Sequence, residues 1–404
     1  MEMVKMIFYK RNLEKTLKQF AKFPIVAILG PRQSGKTTLA RHTFKNHVFL
    51  DFDDLELRAL AHRDPKGFLR KYDNKYGIIL DEFQNVPELL NYIKVIVDAQ
   101  NRPGYFVLTG SQNFLINEEI SQSLAGRVGI LTLLPFSLSE LAENKLLKEG
   151  QPEITIYRGG YPRVYVENFE PKEVYPSYIQ TYLERDVRQL INVANVYTFQ
   201  KFLKLCAARV GQLLNFTDLA INCGVSVATI QQWLSILESS YIIFLLRPHW
   251  VNFNKRVTKT PKIYFYDTGL VCSLLEIDSP KSLSLNPSYG SLFEGLVIAD
   301  FFKQFFNQGL SAPVYFWRDK NGTTEVDCLI EQNAAFTAIE IKSSETFSPY
   351  FFDGLNRWSE LSAQPQSSNY LVYAGSQSSK SANGNLVPWE QAGDLVSSIK
   401  KNKK

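Results

Sequence analysis

IVAILGPRQSGKTTLA, residues 25–40, decides how this chain is read. Its five leading apolar residues, Ile25 to Leu29, predict a buried strand. Gly30-Pro31-Arg32-Gln33-Ser34-Gly35-Lys36-Thr37 then gives the spacing G-x-x-x-x-G-K-T, and a helix-forming run follows. The spacing has a mechanism. Gly30 and Gly35 let the backbone turn tightly enough for successive N–H groups to point inward at a phosphate chain. The next helix presents its positive N-terminal end to the same anion. Lys36 is placed to reach the β- and γ-phosphates, and the Thr37 hydroxyl to bind Mg²⁺. Gly30 to Thr38 is therefore the expected cradle of a nucleoside triphosphate, taken as ATP.

Working outward, 404 residues are too many for one core and predict two to four domains. Hydrophobic residues make up 45% and charged residues 21%, an ordinary globular composition. A net charge of +5 spread over this length is compatible with an acidic partner without requiring one. Cys206, Cys223, Cys272 and Cys328 form no C-x-x-C pair and do not cluster with the four histidines. No conventional zinc site is therefore expected, and the thiols suit a reducing, cytoplasmic setting. No apolar run approaches the ~20 residues of a membrane span. Gly375–Asn385 is a Ser/Gly/Asn-rich loop, and KKNKK a basic tail.

Lys10–Phe20 reads as an amphipathic helix leading into the strand at 25. His47–Asp51 and Gly77–Leu80 read as strands, the second running into Asp81-Glu82. Apolar residues followed by two carboxylates suit Mg²⁺ assistance by Asp81 and polarisation of the attacking water by Glu82. Tyr105–Leu108 is a further strand ending in Thr109-Gly-Ser111-Gln112. Ser111 or Gln112 is placed at a strand's carboxyl end to hydrogen-bond the γ-phosphate or the lytic water, or else Ser111 caps the next helix. Arg127, before a last strand Val128–Leu133, is either an arginine finger acting across a subunit boundary in a homo-oligomer or a surface arginine.

Together these elements resemble the AAA+ branch of P-loop ATPases. More narrowly, they resemble a prokaryotic group whose signatures run GPRQ-x-GKTTL, LDE-x-Q, LTGS, SLAGR and GG-x-P. The matches here are Gly30–Leu39, Leu80–Gln84, Leu108–Ser111, Ser123–Arg127 and Gly159–Pro162. The resemblance implies a sheet with the Ser111 strand between the P-loop strand and the Asp81-Glu82 strand. It also implies adenine under a helical lid near Gly160, Tyr161 and Pro162, although the same residue types make a plain turn.

Ser139 to about Gln200 reads as helical, interrupted at Pro152 and at Gly159–Pro162. Arg185 and Arg188 share a helical face there, either sensing nucleotide or standing in solvent. Phe216–Ala220, Asn222-Cys-Gly224 and Ser226–Ser239 read as helix, turn, helix. Ile230, Trp233, Leu234 and Leu237 form one stripe, leaving Thr229, Gln231, Gln232 and Ser235 outward as a candidate groove-reading face. Phosphate contacts are expected from Arg247, Lys255, Arg256, Lys259 and Lys262 around a hairpin ending at Ile263–Tyr266. The whole predicts a winged helix, serving either duplex DNA or an internal regulatory contact.

Towards the C-terminus the pattern predicts a helix over Ser291–Gln304 carrying Glu294, a strand over Val314–Arg318, and a turn at Asn321-Gly322. A strand over Thr324–Glu331 with Asp327 follows, then one over Thr337–Lys342 with Glu340 and Lys342 on one face. Two carboxylates and a lysine suit Mg²⁺-assisted phosphodiester attack, with Asp327 and Glu340 as ligands and Glu294 as a further one. The same residues also make a plain solvent-facing cross-strand pair. The layout resembles the PD-(D/E)XK nuclease superfamily, with Val326 in place of the proline before Asp327. The resembled ATPase group typically carries such a domain.

The expected fold is α/β, with four parts: an AAA+ core over 1–138, a helical lid over 139–205, a winged helix over 206–280 and a nuclease-like domain over 281–404. The expected activity is ATP hydrolysis coupled to a DNA-binding, nuclease-like module. The alternatives are a nucleotide-dependent switch recruiting a protein partner, and an ATP-licensed endonuclease.

Overall fold

A computed structural model describes residues 8–111, 123–183, 196–249, 260–319, 322–333 and 335–401. Gln112, Arg185, Arg188, Lys255, Arg256, Lys259 and Asn321 lie outside them. The chain divides into two compact units, the first Met1–Phe136 with Ser239–Tyr241 and Phe306–Leu310, the second the remainder.

The first unit is built on β1 (Ile25–Gly30), β2 (Val48–Asp51), β3 (Ile78–Asp81), β4 (Phe106–Ser111) and β5 (Val128–Thr132). All pairings are parallel, in the order β2-β3-β4-β1-β5. The Ser111 strand thus lies between the P-loop strand and the Asp81 strand. Because side chains alternate across a sheet, Ile25, Ala27 and Leu29 pack into one core, while Val26 and Ile28 pack into the other. A parallel sheet covered on both faces needs unbroken apolar strands, and β1 is buried at every position. The preceding helix runs over Leu13–Phe20, three residues shorter than the periodicity predicts.

The second unit opens with short helices, Leu138–Glu143, Pro152–Arg158, Pro162–Val166 and Pro171–Tyr178. Proline starts three of them, at the first-turn position where no N–H is needed. Helices Val196–Ala207, Phe216–Cys223 and Val227–Ser239 follow, the last two joined through Gly224 in the left-handed conformation. Next come β6 (Ile243–Pro248), β7 (Lys262–Phe265), the helix Tyr289–Asn307, then β8 (Val314–Arg318), β9 (Glu325–Gln332), β10 (Ala335–Lys342), β11 (Asn369–Tyr373), β12 (Ser379–Ser381) and β13 (Gly384–Pro388). These make one sheet in the order β12-β13-β11-β10-β9-β8-β6-β7. The β6–β7 hairpin joins β8 through a short parallel register, Arg247 to Tyr315 and Pro248 to Phe316, extended by the His249 N–H donating to Phe316 O at 2.7 Å. The sheet therefore runs across residue 280, where the sequence suggests a domain boundary.

Among the described residues no helix is long and apolar enough to cross a membrane. The four cysteines are buried and free.

Candidate nucleotide site and a buried acid cluster

Parallel pairing aligns the carboxyl ends of β1, β3 and β4, the edge where an open α/β sheet places its ligands. Gly30 leaves β1 at φ +149°, and a Cβ there would stand 2.2 Å from Leu133 O, so only glycine fits. Gln33 and Gly35 also take positive φ, turning the loop into the helix Lys36–Thr43. Pro31 and Ser34 are buried, Arg32, Gln33 and Gly35 half-buried, and Thr38 exposed. Lys36 is buried, its ammonium donating to Gly30 O at 3.1 Å and Pro31 O at 2.8 Å.

The Thr37 hydroxyl lies 2.9 Å from both carboxylate oxygens of Asp81. Thr109, which pairs with Asp81 across β3 and β4, also donates to that carboxylate. Burial pushes the Asp81 carboxyl up to about 6, with the two hydroxyls pulling it back. A buried carboxylate beside a phosphate-loop threonine suits a divalent cation, which would supply the missing positive charge. Ser34 Oγ and Gln33 Oε1 are buried without a hydrogen-bond partner, leaving polar groups for a ligand in the loop itself.

Glu82 follows at φ +50°, a conformation sparsely used outside glycine and asparagine. Its carboxylate accepts from Gln84 Nε2, which reaches Ser111 Oγ at 3.5 Å. Gly110 makes room, because a Cβ there would meet Gln84 Oε1 at 2.5 Å. Glu82, Gln84 and Ser111 thus form one chain of contacts along the edge. Arg127 instead pairs with Asp98 of its own chain, Nε to Oδ1 at 2.5 Å and an NH2 to Oδ2 at 3.0 Å. That hydrogen bonding holds Asp98 below the ordinary carboxylate range.

Sequence reasoning missed Arg11. It is buried, and its guanidinium donates to Ser34 O at 2.7 Å and Leu134 O at 2.6 Å, tying the phosphate loop to the segment after β5. Nothing local in the sequence signals this, since the partners are backbone carbonyls 23 and 123 residues away.

Gly159 to Pro162 belong to the second unit. Gly159 takes φ +65°, ψ −162°, and a Cβ on it would stand 2.1 Å from the Tyr175 hydroxyl. The Gly160 N–H donates to Asp267 at 2.6 Å, and Asp267 also accepts from Leu270 N at 2.9 Å. Tyr161 is buried, its hydroxyl 3.0 Å from that of Tyr178, and Pro162 begins a helix. Asp267 and Tyr175 pack closely around this turn.

A second constellation sits in the eight-stranded sheet. Lys342 bonds Glu340 at 2.5 Å, and Asp327 accepts from Ile341 N at 2.9 Å. Glu340 Oε2 is buried without a partner. Glu294 accepts from the Tyr264 hydroxyl and lies 3.4 Å from the Lys262 ammonium, which also pairs with Glu325. Burial raises the carboxyls of Glu294, Asp327 and Glu340, their mutual repulsion adding to it at Glu294 and Glu340. Burial alone would lower the Lys262 ammonium, but Glu294, Asp327 and Glu325 outweigh it and raise it.

Lys262 corrects the sequence reading, which has it contact phosphate from a wing. Only 4% of it is exposed, because β7 points it into the carboxylates. Glu325 could have been found from period 2, since it shares a strand face with Asp327. Among the described residues no group of three or more Asp, Glu, His or Cys is arranged to hold a metal. Glu294, Asp327 and Glu340 lie close enough to repel one another, but Glu294 is turned to Tyr264 and Lys262.

Three family models match successive stretches of the chain. A family model described as AAA domain matches residues 22–142, and two described as domains of unknown function, DUF8612 and DUF4143, match 152–281 and 289–392. The uncharacterized protein Rv2008c of Mycobacterium tuberculosis is 31% identical over 326 residues, covering 80% of this chain and 71% of its own. The uncharacterized protein MJ1544 of Methanocaldococcus jannaschii is 23% identical over 336 residues, covering 76% and 72%. The solved Walker-type ATPase of Pyrococcus abyssi covers 66% of this chain and 96% of its own at 14% identity and a TM-score of 0.43, too loose a likeness to bear on function. This chain belongs to the family that includes the M. tuberculosis protein, and its N-terminal part is an AAA-type P-loop ATPase domain.

Proposed function

We propose that the chain hydrolyses Mg-ATP and couples nucleotide occupancy to a nucleic-acid-binding module in its second unit. Lys36 and the backbone N–H groups of the Gly30–Thr38 loop other than Pro31 would hold the phosphates, and Thr37 with Asp81 would hold Mg²⁺, which would neutralise charge on the γ-phosphate. Glu82 would take the proton of the attacking water, and Ser111 would orient the γ-phosphate. Arg127 would join the site only after leaving Asp98. The observation that carries the reading is the Thr37 hydroxyl 2.9 Å from both Asp81 oxygens, with Glu82 adjoining.

Two helices joined at Gly224 and followed by the β6–β7 hairpin support a winged-helix reading of the module. Gln231, Gln232 and Ser235 are exposed on the second helix, and Arg247 is exposed on β6. The arrangement of helix Tyr289–Asn307 with β8 to β11 supports a nuclease-like fold beside it, with Asp327, Glu340 and Lys342 at its acid cluster.

ATP turnover measured with and without duplex DNA, on wild type and Lys36→Ala, tests the proposal. DNA should raise the wild-type rate severalfold, and Lys36→Ala should abolish turnover. Turnover indifferent to DNA would instead favour a switch that recruits a protein. One observation already leans that way: the described part of the outward helix face carries no Lys or Arg, and Ile221 is 75% exposed.

A further inference from the structure

The acid cluster in the eight-stranded sheet has an unusual cation. Glu294 comes from the helix Tyr289–Asn307, Glu325 and Asp327 from β9, and Glu340 from β10. A phosphodiester-cleaving site of this make-up needs carboxylates free to share a divalent cation. Here Glu294 spends its Oε1 on the Tyr264 hydroxyl and the Lys262 ammonium. Glu325 pairs with the same ammonium and with Arg318 at 3.5 Å.

Lys262 cannot easily withdraw. It is fixed in β7 opposite Leu246, bridged to Leu213, and its ammonium lies 5.5 Å over the Phe316 ring. Its charge is buried beside carboxylates that arrive from two other elements, Glu294 from the helix and Glu325 and Asp327 from β9. Removing it would strand buried negative charge, the situation in which a metal ion becomes the alternative partner.

We propose that Lys262 is a built-in counter-cation of this cluster, an ammonium standing where a divalent metal would otherwise be drawn, so that the native C-terminal sheet holds its carboxylates without metal. The inference is independent of the ATPase reading. It makes the sheet a binding scaffold and gives the hairpin that carries Lys262 control over whether the carboxylates are available.

The test is Mn²⁺ binding to the full-length protein without nucleotide, followed by electron paramagnetic resonance. An Asp81→Asn background removes the carboxylate beside Thr37. With Lys262 in place, no saturable binding that depends on Glu340 should be seen. Lys262→Met should bind one Mn²⁺ at least tenfold more tightly, and Glu340→Gln added to it should abolish the gain. Lys262→Arg, which keeps the charge, should behave as the parent. Mn²⁺ binding by the parent that Glu340→Gln or Asp327→Asn removes would overturn the proposal. So would a folded Lys262→Met that binds no more tightly than the parent. Should Lys262→Met fail to fold, the parent and its Glu340→Gln variant decide alone.

Discussion

Thr37 and Asp81 share a pair of hydrogen bonds, the hydroxyl standing 2.9 Å from each carboxylate oxygen. Two hydroxyls, from Thr37 and Thr109, are poor compensation for a buried negative charge, and the Asp81 carboxyl is pushed up from 3.8 to about 6. Folding therefore favours its protonated form. Its penalty is absent below about pH 4, grows between about 4 and 6, and is complete above.

Asp81→Asn should accordingly stabilise the protein without ligand at pH 7.5 by up to about 3 kcal/mol, the equivalent of a two-unit gap. At pH 4 the two proteins should melt alike. The same variant should lose Mg-dependent ATP turnover. Urea melts at the two pH values check the first half, and a phosphate-release assay checks the second. Equal stability at both pH values would show that the carboxylate carries no burial penalty.

Glu82→Gln keeps the shape of the side chain that meets Gln84 and removes its basicity. ATP affinity should stay within a few-fold of wild type, while kcat should fall by about 10²–10⁴, the usual worth of a positioned general base. Fluorescent-nucleotide titration beside single-turnover hydrolysis separates the two quantities. Unchanged kcat would move the base elsewhere.

Arg11→Lys preserves charge but not the fork that spans Ser34 O and Leu134 O. A lysine is a single point donor, so one buried carbonyl would lose its partner at a cost of about 1–3 kcal/mol. Part of that loss should appear as weaker ATP binding, because Ser34 belongs to the phosphate loop. Calorimetric titration should show a fall in affinity of about tenfold, a 1.4 kcal/mol change. Full affinity would mean that the loop is held by its own turns.

Gly159→Ala sets a methyl group against the Tyr175 hydroxyl at a positive φ. Overpacking of this kind costs about 1–3 kcal/mol before any backbone strain is added. Thermal melting should fall by several degrees, and Tyr175→Phe should recover part of the loss. A neutral Gly159→Ala would show that the turn can open away from Tyr175.

The ATPase sheet was largely legible from the chain because its signals are local. An unbroken apolar run, two glycines and a lysine at fixed spacing specify β1 and its loop, and a run ending in two carboxylates specifies β3. The outward face of helix Val227–Ser239 was legible for the same reason, since period 3.6 sorts Ile230, Trp233, Leu234 and Leu237 from Gln231 and Gln232. Arg11 and Lys262 were not legible. Arg11 bonds distant backbone carbonyls and Lys262 distant carboxylates, and a lysine near a predicted wing reads as solvent-facing until β7 is seen to point it inward. The reading of Gly159–Pro162 was ambiguous because glycine and proline serve nucleotide lids and ordinary turns alike; Asp267, over a hundred residues away, supplies the packing reason.

The short seam from Arg247 and Pro248 to Tyr315 and Phe316 bears on how such proteins can diversify. Segments matched separately by two family models, 152–281 and 289–392, share one set of backbone hydrogen bonds and one buried charge balance. Exchanging either segment for that of a distant relative would strand Lys262 among unfamiliar carboxylates, or strand the carboxylates without it. Neither segment of this chain holds a balanced charge cluster without the other.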